Sequence, residues 1–559
     1  MPGMNAGNQT LEETPKRPIE WKVWVCLAVA SATLVMFRLH ALDLPLETDE
    51  CNYAYIGARL LEGESLYVDV WDHQPFGVFV MFAGVIALFG HDPIVFRLLA
   101  LAFSLVSLWL IFAMLRRSFD LPTAVTGALL FAVSSSDPGT AGEGCNREIY
   151  MNTAVLAAWY LASLRPIAPR LSLLGVGIAL ALGSAIKTIL AIHWLLLAVY
   201  LAVVVWVRQP PGVRTRKTIE TLVLLALGPI ALWAGALAYF WVTGRAGEFV
   251  DAVFLFNLSY AGGGEGGLSR LVEFFAPQRH PFIFDSALPL WIGGLVATVW
   301  LALRCLRFGE SRRASDISKP ATVTRREGTI LIVFMVAASF LAVCTPGRFW
   351  PHYYYLLIPP LALACAAGAR ELAEFAGNRE TVCAGAPIVV SAILLILLCL
   401  TEYREYLSQP PFGITIERYN SRDFWGKAMG EKVKEVTQPQ DSVFVFGSDT
   451  GTYYYSDRRC ASRYTMVTGV SSAFAGADSR RKILLGELRE HKPRVILILL
   501  DEKPFEGWLK FLEEFYEPIG LDHHDRTGEI ILYVYGLKDH PVKTIDWNWD
   551  RSQVGGWLQ

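Results

Sequence analysis

Residues 42–73 read LDLPLETDECNYAYIGARLLEGESLYVDVWDH. Eight carboxylates stand here (Asp43, Glu47, Asp49, Glu50, Glu62, Glu64, Asp69 and Asp72), and Arg59 opposes them. An acidic stretch of this kind is ordinarily a solvated loop. Asp49 and Glu50 differ in context, because they open a helix-like stretch, Cys51–Leu61, with Thr48 placed to cap it. A carboxylate at a helix N-terminus is favoured by the helix dipole, so capping is one reading. The other is catalysis. Tyr53, Tyr55 and Ile56 follow and would press the helix onto an apolar boundary, where a carboxylate beside aromatic rings can take a proton from a hydroxyl.

Three further groups could support such chemistry. The segment DPGTAGEGCNREIYMN (137–152) holds Glu143 and Glu148, which by themselves read as helix-capping carboxylates. Lys187 lies between two long apolar runs, where a charge is costly and is retained for function unless it snorkels to an interface. Arg348 and His352 lie in PGRFWPHYYY. That segment reads either as an aromatic belt with snorkelling charges or as a phosphate cradle, in which Arg makes bidentate contacts to phosphate oxygens. No run shows metal-ligand spacing.

The elements that must position these groups are membrane helices. Of 559 residues, 53% are hydrophobic and 18% charged, against roughly 45–50% and 25% for soluble chains. The charges crowd between long uncharged runs. Seventeen Trp and 21 Tyr suit many membrane interfaces. A net charge of −2 without a basic, aromatic-interleaved patch gives no sign of nucleic-acid binding. The nine Cys are scattered without CxxC and read as small apolar residues, although Cys51 and Cys145 are placed where they could pair.

The fold class expected is an all-α polytopic membrane protein with a small C-terminal α/β domain. About eleven spans are predicted, near 22–41, 94–115, 121–137, 150–164, 171–186, 189–207, 218–243, 283–304, 328–344, 353–370 and 384–401. Residues 1–21 form a cytoplasmic tail ahead of an uncleaved anchor. The apolar run 76–89 is short. If it does not cross, every basic cluster falls on the cytoplasmic side: Arg116–Arg117, Arg165 and Arg170, Arg208 to Lys217, Arg304 to Arg326, Arg370 and Arg379. It is therefore read as a helix on or dipping into the outer leaflet. The segments 42–93, 138–149, 244–282, 345–352 and the domain 402–559 then face outward. That domain shows strand-like runs at Ser442–Phe446, Val495–Leu500 and Ile530–Tyr535 and a helix-like stretch at 506–516; AGGGEGG (261–267) reads as a hinge.

The runs TDECNYAYIGARLLEG, LYVDVWDHQPFG, ALFG and FRLLA together resemble the GT-C integral-membrane glycosyltransferases, nearest the bacterial protein-mannosyltransferase-like and aminoarabinose-transferase-like group. The family's order is an Asp-Glu pair, Tyr-x-Asp, a Lys-Pro-Pro-like element, Phe-Gly and an Arg. Here these are Asp49–Glu50, Tyr67–Asp69, His73–Gln74–Pro75, Phe89–Gly90 and Arg97, and the likeness continues through 138–149, at 187 and at 347–363. The resemblance implies a GT-C transmembrane domain over 22–401 in a bacterial inner membrane. It implies a polyprenyl-phosphate sugar as donor and an extracytoplasmic hydroxyl as acceptor, with Asp49, beside Glu50, as catalytic base and net inversion. Glu148, Glu143, Tyr53 and Asp69 would orient acceptor or loop. Lys187, Arg348, His352, Arg97 and Gln74 would meet the donor phosphate. A divalent cation is possible, since metal need differs within the superfamily. One departure stands out: the family's Lys before the Pro pair is Gln74, which brings no charge. A lipid or sugar transporter and an inactive partner subunit are the rival readings. The ionisable residues sit mostly in loops and no internal repeat stands out, which favours the enzyme.

Overall fold

The computed structural model describes residues 21–165, 169–262, 268–277, 280–307, 325–376, 386–410, 422–500, 503–523 and 530–548. The tail 1–20 and most of the predicted hinge, 263–267, lie outside these. Each predicted span is met by a helix, and eight helices among the described residues are long and apolar enough to cross a membrane. They include α1 (Trp21–Leu39), α4 (Pro93–Ser118), α7 (Pro169–Ile186), α8 (Ala191–Arg208, reached through a 3-10 turn from Thr188) and α9 (Pro211–Val242). Leu288–Arg307 and Arg325–Cys344 follow, and the span from Pro351 is broken by a 3-10 turn at Tyr355–Leu357 before Ile358–Ala376. Shorter helices fill the remaining spans: α5 (Leu121–Ser134), α6 (Arg147–Ser163) and Ala386–Glu402.

Two more helices lie between α1 and α4. The first, α2 (Thr48–Leu61), begins earlier than predicted and is capped by Glu47, not Thr48. Glu47 accepts from the N3 backbone while the Glu50 carboxylate accepts from the Glu47 N–H, a reciprocal box that Thr48 has no partner to form. The second, α3 (Phe76–Phe89), packs on α2, where a Cβ on Gly57 would stand 2.9 Å from the Ala83 nitrogen. α7 and α9 meet backbone to backbone, where a Cβ on Gly228 would lie 2.6 Å from the Gly177 carbonyl carbon; contact of this kind replaces the hydrophobic drive that lipid cannot supply.

Helix α5 stops three residues before the predicted end of its span. The chain from Ser134 to Asn146 is not a solvated loop but lies buried. Arg38, buried near the end of α1, holds it by donating to the Ser135 and Gly144 carbonyls, each at 2.9 Å. On the same side, Glu50 accepts from the Cys145 N–H and pairs with Arg97 at 3.3 Å. Cys51 and Cys145 are not joined, so the conceivable disulfide does not form.

The C-terminal unit is a five-stranded sheet in the order β2-β1-β3-β5-β4. β1 (Ser442–Phe446), β3 (Val495–Leu499) and β5 (Ile530–Leu537) fall where the sequence predicts them, and Trp508–Phe515 is the predicted helix. β2 (Arg459–Cys460) and β4 (Tyr516–His523) escape the pattern: one is two residues long, and the other carries Pro518 and Gly520 at a register irregularity. β2, β1 and β3 run parallel; β5 and β4 run antiparallel. The predicted boundary at 402 falls inside a continuous helix, since a π-helical stretch, Tyr403–Leu407, extends Ala386–Glu402. The sheet unit is fixed directly to the first interhelical segment. The Trp71 N–H donates to the Arg463 carbonyl (2.8 Å), the Cys460 N–H to the Tyr55 hydroxyl (2.8 Å), and Thr465 Oγ1 to Asn52 Oδ1 (2.7 Å).

Candidate active site

Three of the segments that the charge bias assigns to one side of the membrane, 42–93, 138–149 and the end of the 345–352 stretch with Tyr353, meet the α7–α8 break in a single cluster. Its hub is Arg147, at the start of α6, buried to 3% side-chain exposure. Arg147 Nη1 donates to the Tyr53 hydroxyl at 2.5 Å, Nη2 lies 3.9 Å from Asp49 Oδ2, and Nε lies 3.5 Å from Glu148 Oε1. Lys187, in the break between α7 and α8, places Nζ 2.9 Å from Glu148 Oε1 and 3.4 Å above the centre of the Tyr353 ring. His352 Nε2 stands 4.0 Å from Asp49 Oδ2 and makes no hydrogen bond.

Asp49 is the part of this cluster that solvent or a substrate can reach. Its side chain is 31% exposed, against 1% for Glu148 and 11% for Lys187. Tyr53, one turn along α2, donates to Asp49 Oδ2 at 3.4 Å and fixes its direction. Burial alone would raise the Glu148 carboxyl, but Lys187, His352 and Arg147 around it hold it down to about 2. Burial draws the Lys187 ammonium down to about 7, with Glu148 opposing. The result is a dry, charge-balanced base beneath an accessible carboxylate.

A second layer joins the sheet unit to this cluster. Thr465 holds Asn52, whose Nδ2 donates to Asp72 Oδ2 at 2.6 Å; the Gln74 N–H donates to Asp72 Oδ1 at 2.7 Å. His73 Nδ1 lies 3.4 Å from Asp72 Oδ1, and the Gln74 side-chain amide bonds His73 Nε2 at 2.7 Å. Burial lifts Asp72 to about 7 and, with Arg147 and Lys187 nearby, depresses His73 to about 3. The His73 ring stacks on Tyr260 at 5.2 Å, and its carbonyl accepts from Asn257 at 2.6 Å.

Of the residues singled out from sequence, Asp49, Tyr53, Glu148, Lys187 and His352 are brought together, with Gln74 one layer behind. Glu50 and Arg97 pair with each other instead, Arg97 also donating to the Pro45 carbonyl at 2.7 Å. Glu143 lies buried beside Arg97, its own carbonyl 3.4 Å from Nη1, and burial raises its carboxyl to about 7. Asp69 is exposed and caps its own turn by accepting from the Ser65 N–H at 2.7 Å. Arg348 lies behind Tyr260, donating twice to its carbonyl (2.8 and 3.2 Å) and sitting 4.5 Å over its ring.

Three participants lacked a strong sequence signal. Arg147 stood in plain view in Asn146–Arg147–Glu148, as a cation beside an acid at a helix start. Asn52 and Thr465 are common polar residues whose partners are remote in sequence. One further grouping had no sign in the sequence: one potential ligand atom each from Glu47, Asp49 and His352 lie within 4.8 Å of one another, close enough to hold a cation, across some three hundred positions.

The sequence family described as dolichyl-phosphate-mannose-protein mannosyltransferase matches residues 73–233. No curated protein matches the chain. Among solved structures, ArnT from Cupriavidus metallidurans matches both in complex with undecaprenyl phosphate and in the apo state. Each match has a TM-score of 0.55 and 14% identity, over 92% of this chain and 98% of that one. The oligosaccharyltransferase of Archaeoglobus fulgidus, tethered with an acceptor peptide, matches with a TM-score of 0.48 and 15% identity, over 94% of this chain and 75% of that one. The resemblance read from the motifs is thus borne out at the level of fold: the chain is a multi-span membrane protein with the GT-C architecture and a small C-terminal sheet unit.

Proposed function

We propose that the protein is a membrane glycosyltransferase that moves a sugar from a polyprenyl-phosphate carrier to a hydroxyl of an extracytoplasmic lipid, glycan or protein acceptor. The observation that carries this reading is Asp49. It is an accessible carboxylate aimed by Tyr53 and Arg147 into a cluster whose other cations are dry. The acceptor oxygen attacks the anomeric carbon as Asp49 takes its proton. The carbon–phosphate oxygen bond breaks, the phosphate keeps the electron pair, and the configuration inverts. A phosphate is a good leaving group without protonation, so cations suffice on that side. Lys187 is the cation best placed to meet it, with Arg348 one ring further out; His352, whose imidazole burial pulls down to about 4, would offer the phosphate a hydrogen bond and no charge. Glu50 and Arg97 act by fixing the buried 135–146 chain against α2. A divalent cation held by Glu47, Asp49 and His352 would add positive charge for the phosphate, and the unbonded His352 nitrogen fits such a ligand. The cytoplasmic N-terminus and the outward face of the site complete the proposal.

The test is transfer by purified protein in proteoliposomes, supplied with radiolabelled polyprenyl-phosphate sugars and an envelope extract as acceptor pool. Wild type is expected to transfer label, and Asp49→Asn to transfer it at least about a hundredfold more slowly. Equal rates would remove Asp49 from the chemistry. Transfer by neither, across several donors, would point to a transporter or an inactive partner subunit.

A further inference from the structure

The far ends of α7, α8 and α9 enclose a second cationic site. A cavity of about 360 Å³ lies between them. Its apolar wall is Leu173, Val204, Val205 and Leu224, and its rim carries Arg165, Arg170, Arg208 and Lys217. α7 has 18 residues, so its ends are about 27 Å apart, close to the thickness of the hydrocarbon layer. Lys187 of the candidate active site follows one end of α7 and Arg170 sits at the other. The two sites therefore face opposite leaflets.

The four rim cations share two carboxylates. Glu220 pairs with Arg170 at 2.8 Å and Lys217 at 2.9 Å; Glu327 pairs with Arg165 at 3.2 Å and Arg208 at 2.8 Å. Glu220 is the one carboxylate among the described lining residues. Two positive charges are left over, and Arg165 Nη1 is buried without a hydrogen-bond partner. Leu171 and Val207, next to Arg170 and Arg208, are 76% and 75% exposed and present apolar surface at the same level. A ligand here must bring negative charge with an acyl chain attached.

We propose that this cavity binds the headgroup of an anionic phospholipid, its phosphate oxygens on the rim guanidinium and ammonium groups and its first methylenes on the Leu–Val wall. Arg pairs bidentately with phosphate, and basic pockets between membrane helices suit such headgroups. A zwitterionic lipid would bring its own cation against the surplus charge. The site is independent of the glycosyl-transfer reading.

Native mass spectrometry of the full-length protein in detergent tests this, with phosphatidylglycerol, phosphatidylcholine and inorganic phosphate as probes. Wild type is expected to retain phosphatidylglycerol in preference to phosphatidylcholine. Arg170→Ala/Lys217→Ala should bind phosphatidylglycerol at least about tenfold more weakly, since each surface cation carries a several-fold share of such binding. The side chains are 76% and 47% exposed, so folding is retained, and Arg170→Lys/Lys217→Arg should bind as wild type does. Unchanged retention in the alanine variant, or equal retention of both lipids, would overturn the proposal. So would displacement of phosphatidylglycerol by millimolar inorganic phosphate, which would mark a soluble-anion site.

Discussion

Helix α7 carries cations at both ends, and their surroundings differ in kind. At one end Lys187 is 11% exposed, lies against an aromatic ring and shares a 1%-exposed carboxylate with Arg147. At the other end Arg170 is 76% exposed and its partner Glu220 is reachable by water. The first arrangement is costly to desolvate and is held by residues from four separate segments, around 49–53, 147–148, 187 and 352–353. The second is an ordinary ion pair at a membrane boundary, rearrangeable at little cost. On the proposed function the buried, fully determined cation would place a reacting phosphate, whereas the loosely paired one would hold a lipid that exchanges.

The sharpest way to break this contrast is to remove one cation from each end. Lys187→Ala leaves Glu148 buried with a lone partner and should cost about 3–5 kcal/mol, read as a large fall in apparent Tm at fixed scan rate. Arg170→Ala should leave the Tm where it was. Equal shifts would mean that burial does not separate the two ends. Lys187→Met combined with Glu148→Gln should recover much of the stability without recovering transfer, because the charge the phosphate needs is still missing.

A smaller effect concerns the link to the sheet unit. Thr465→Val removes the donor to Asn52 inside a buried chain and should cost about 1–3 kcal/mol. It should also lower transfer several-fold by loosening Asp72 and His73, whereas Thr465→Ser should restore both. A change in stability with an unaltered rate would confine Thr465 to the fold.

The pH dependence gives the smallest and most specific readout. Burial holds Asp72 up to about 7, against about 3.9 for a free Asp side chain. Between those values the folded protein binds the proton more readily than the unfolded chain does. The contribution of Asp72 to stability is therefore present at pH 4 and lost as pH rises through 7. Asp72→Asn should flatten the fall in apparent Tm over that window; an identical slope in the variant would assign the titration elsewhere.

Much of this contrast was already legible in the sequence. The distribution of Arg and Lys separates the loops into two sets, and the structure gathers each set at its own end of the bundle. The apolar runs mark the helices because lipid demands length as well as hydrophobicity. Asp49, Glu148 and Lys187 stand out because charges next to apolar runs are expensive. Less legible was which of two adjacent carboxylates faces the site. Asp49 and Glu50 share a helix start, and only the capping reciprocity with Glu47 and the pull of Arg97 turn Glu50 inward. Arg348 looked equivalent to Lys187, yet the Tyr260 carbonyl holds it a ring away. Contacts of this sort depend on tertiary packing between distant segments, as does the role of Thr465, four hundred residues from Asn52.

On the proposed function, a polyprenyl phosphate places its phosphate at the Lys187 end of α7. A photoreactive polyprenyl phosphate, with a diazirine beside the phosphate, tests this by cross-linking in proteoliposomes and peptide mapping. Label is expected on the segments holding Lys187 and Tyr353, and is expected to fall sharply in Lys187→Met. Label confined to the Arg165–Lys217 rim, or undiminished in that variant, would rule out donor phosphate at Lys187.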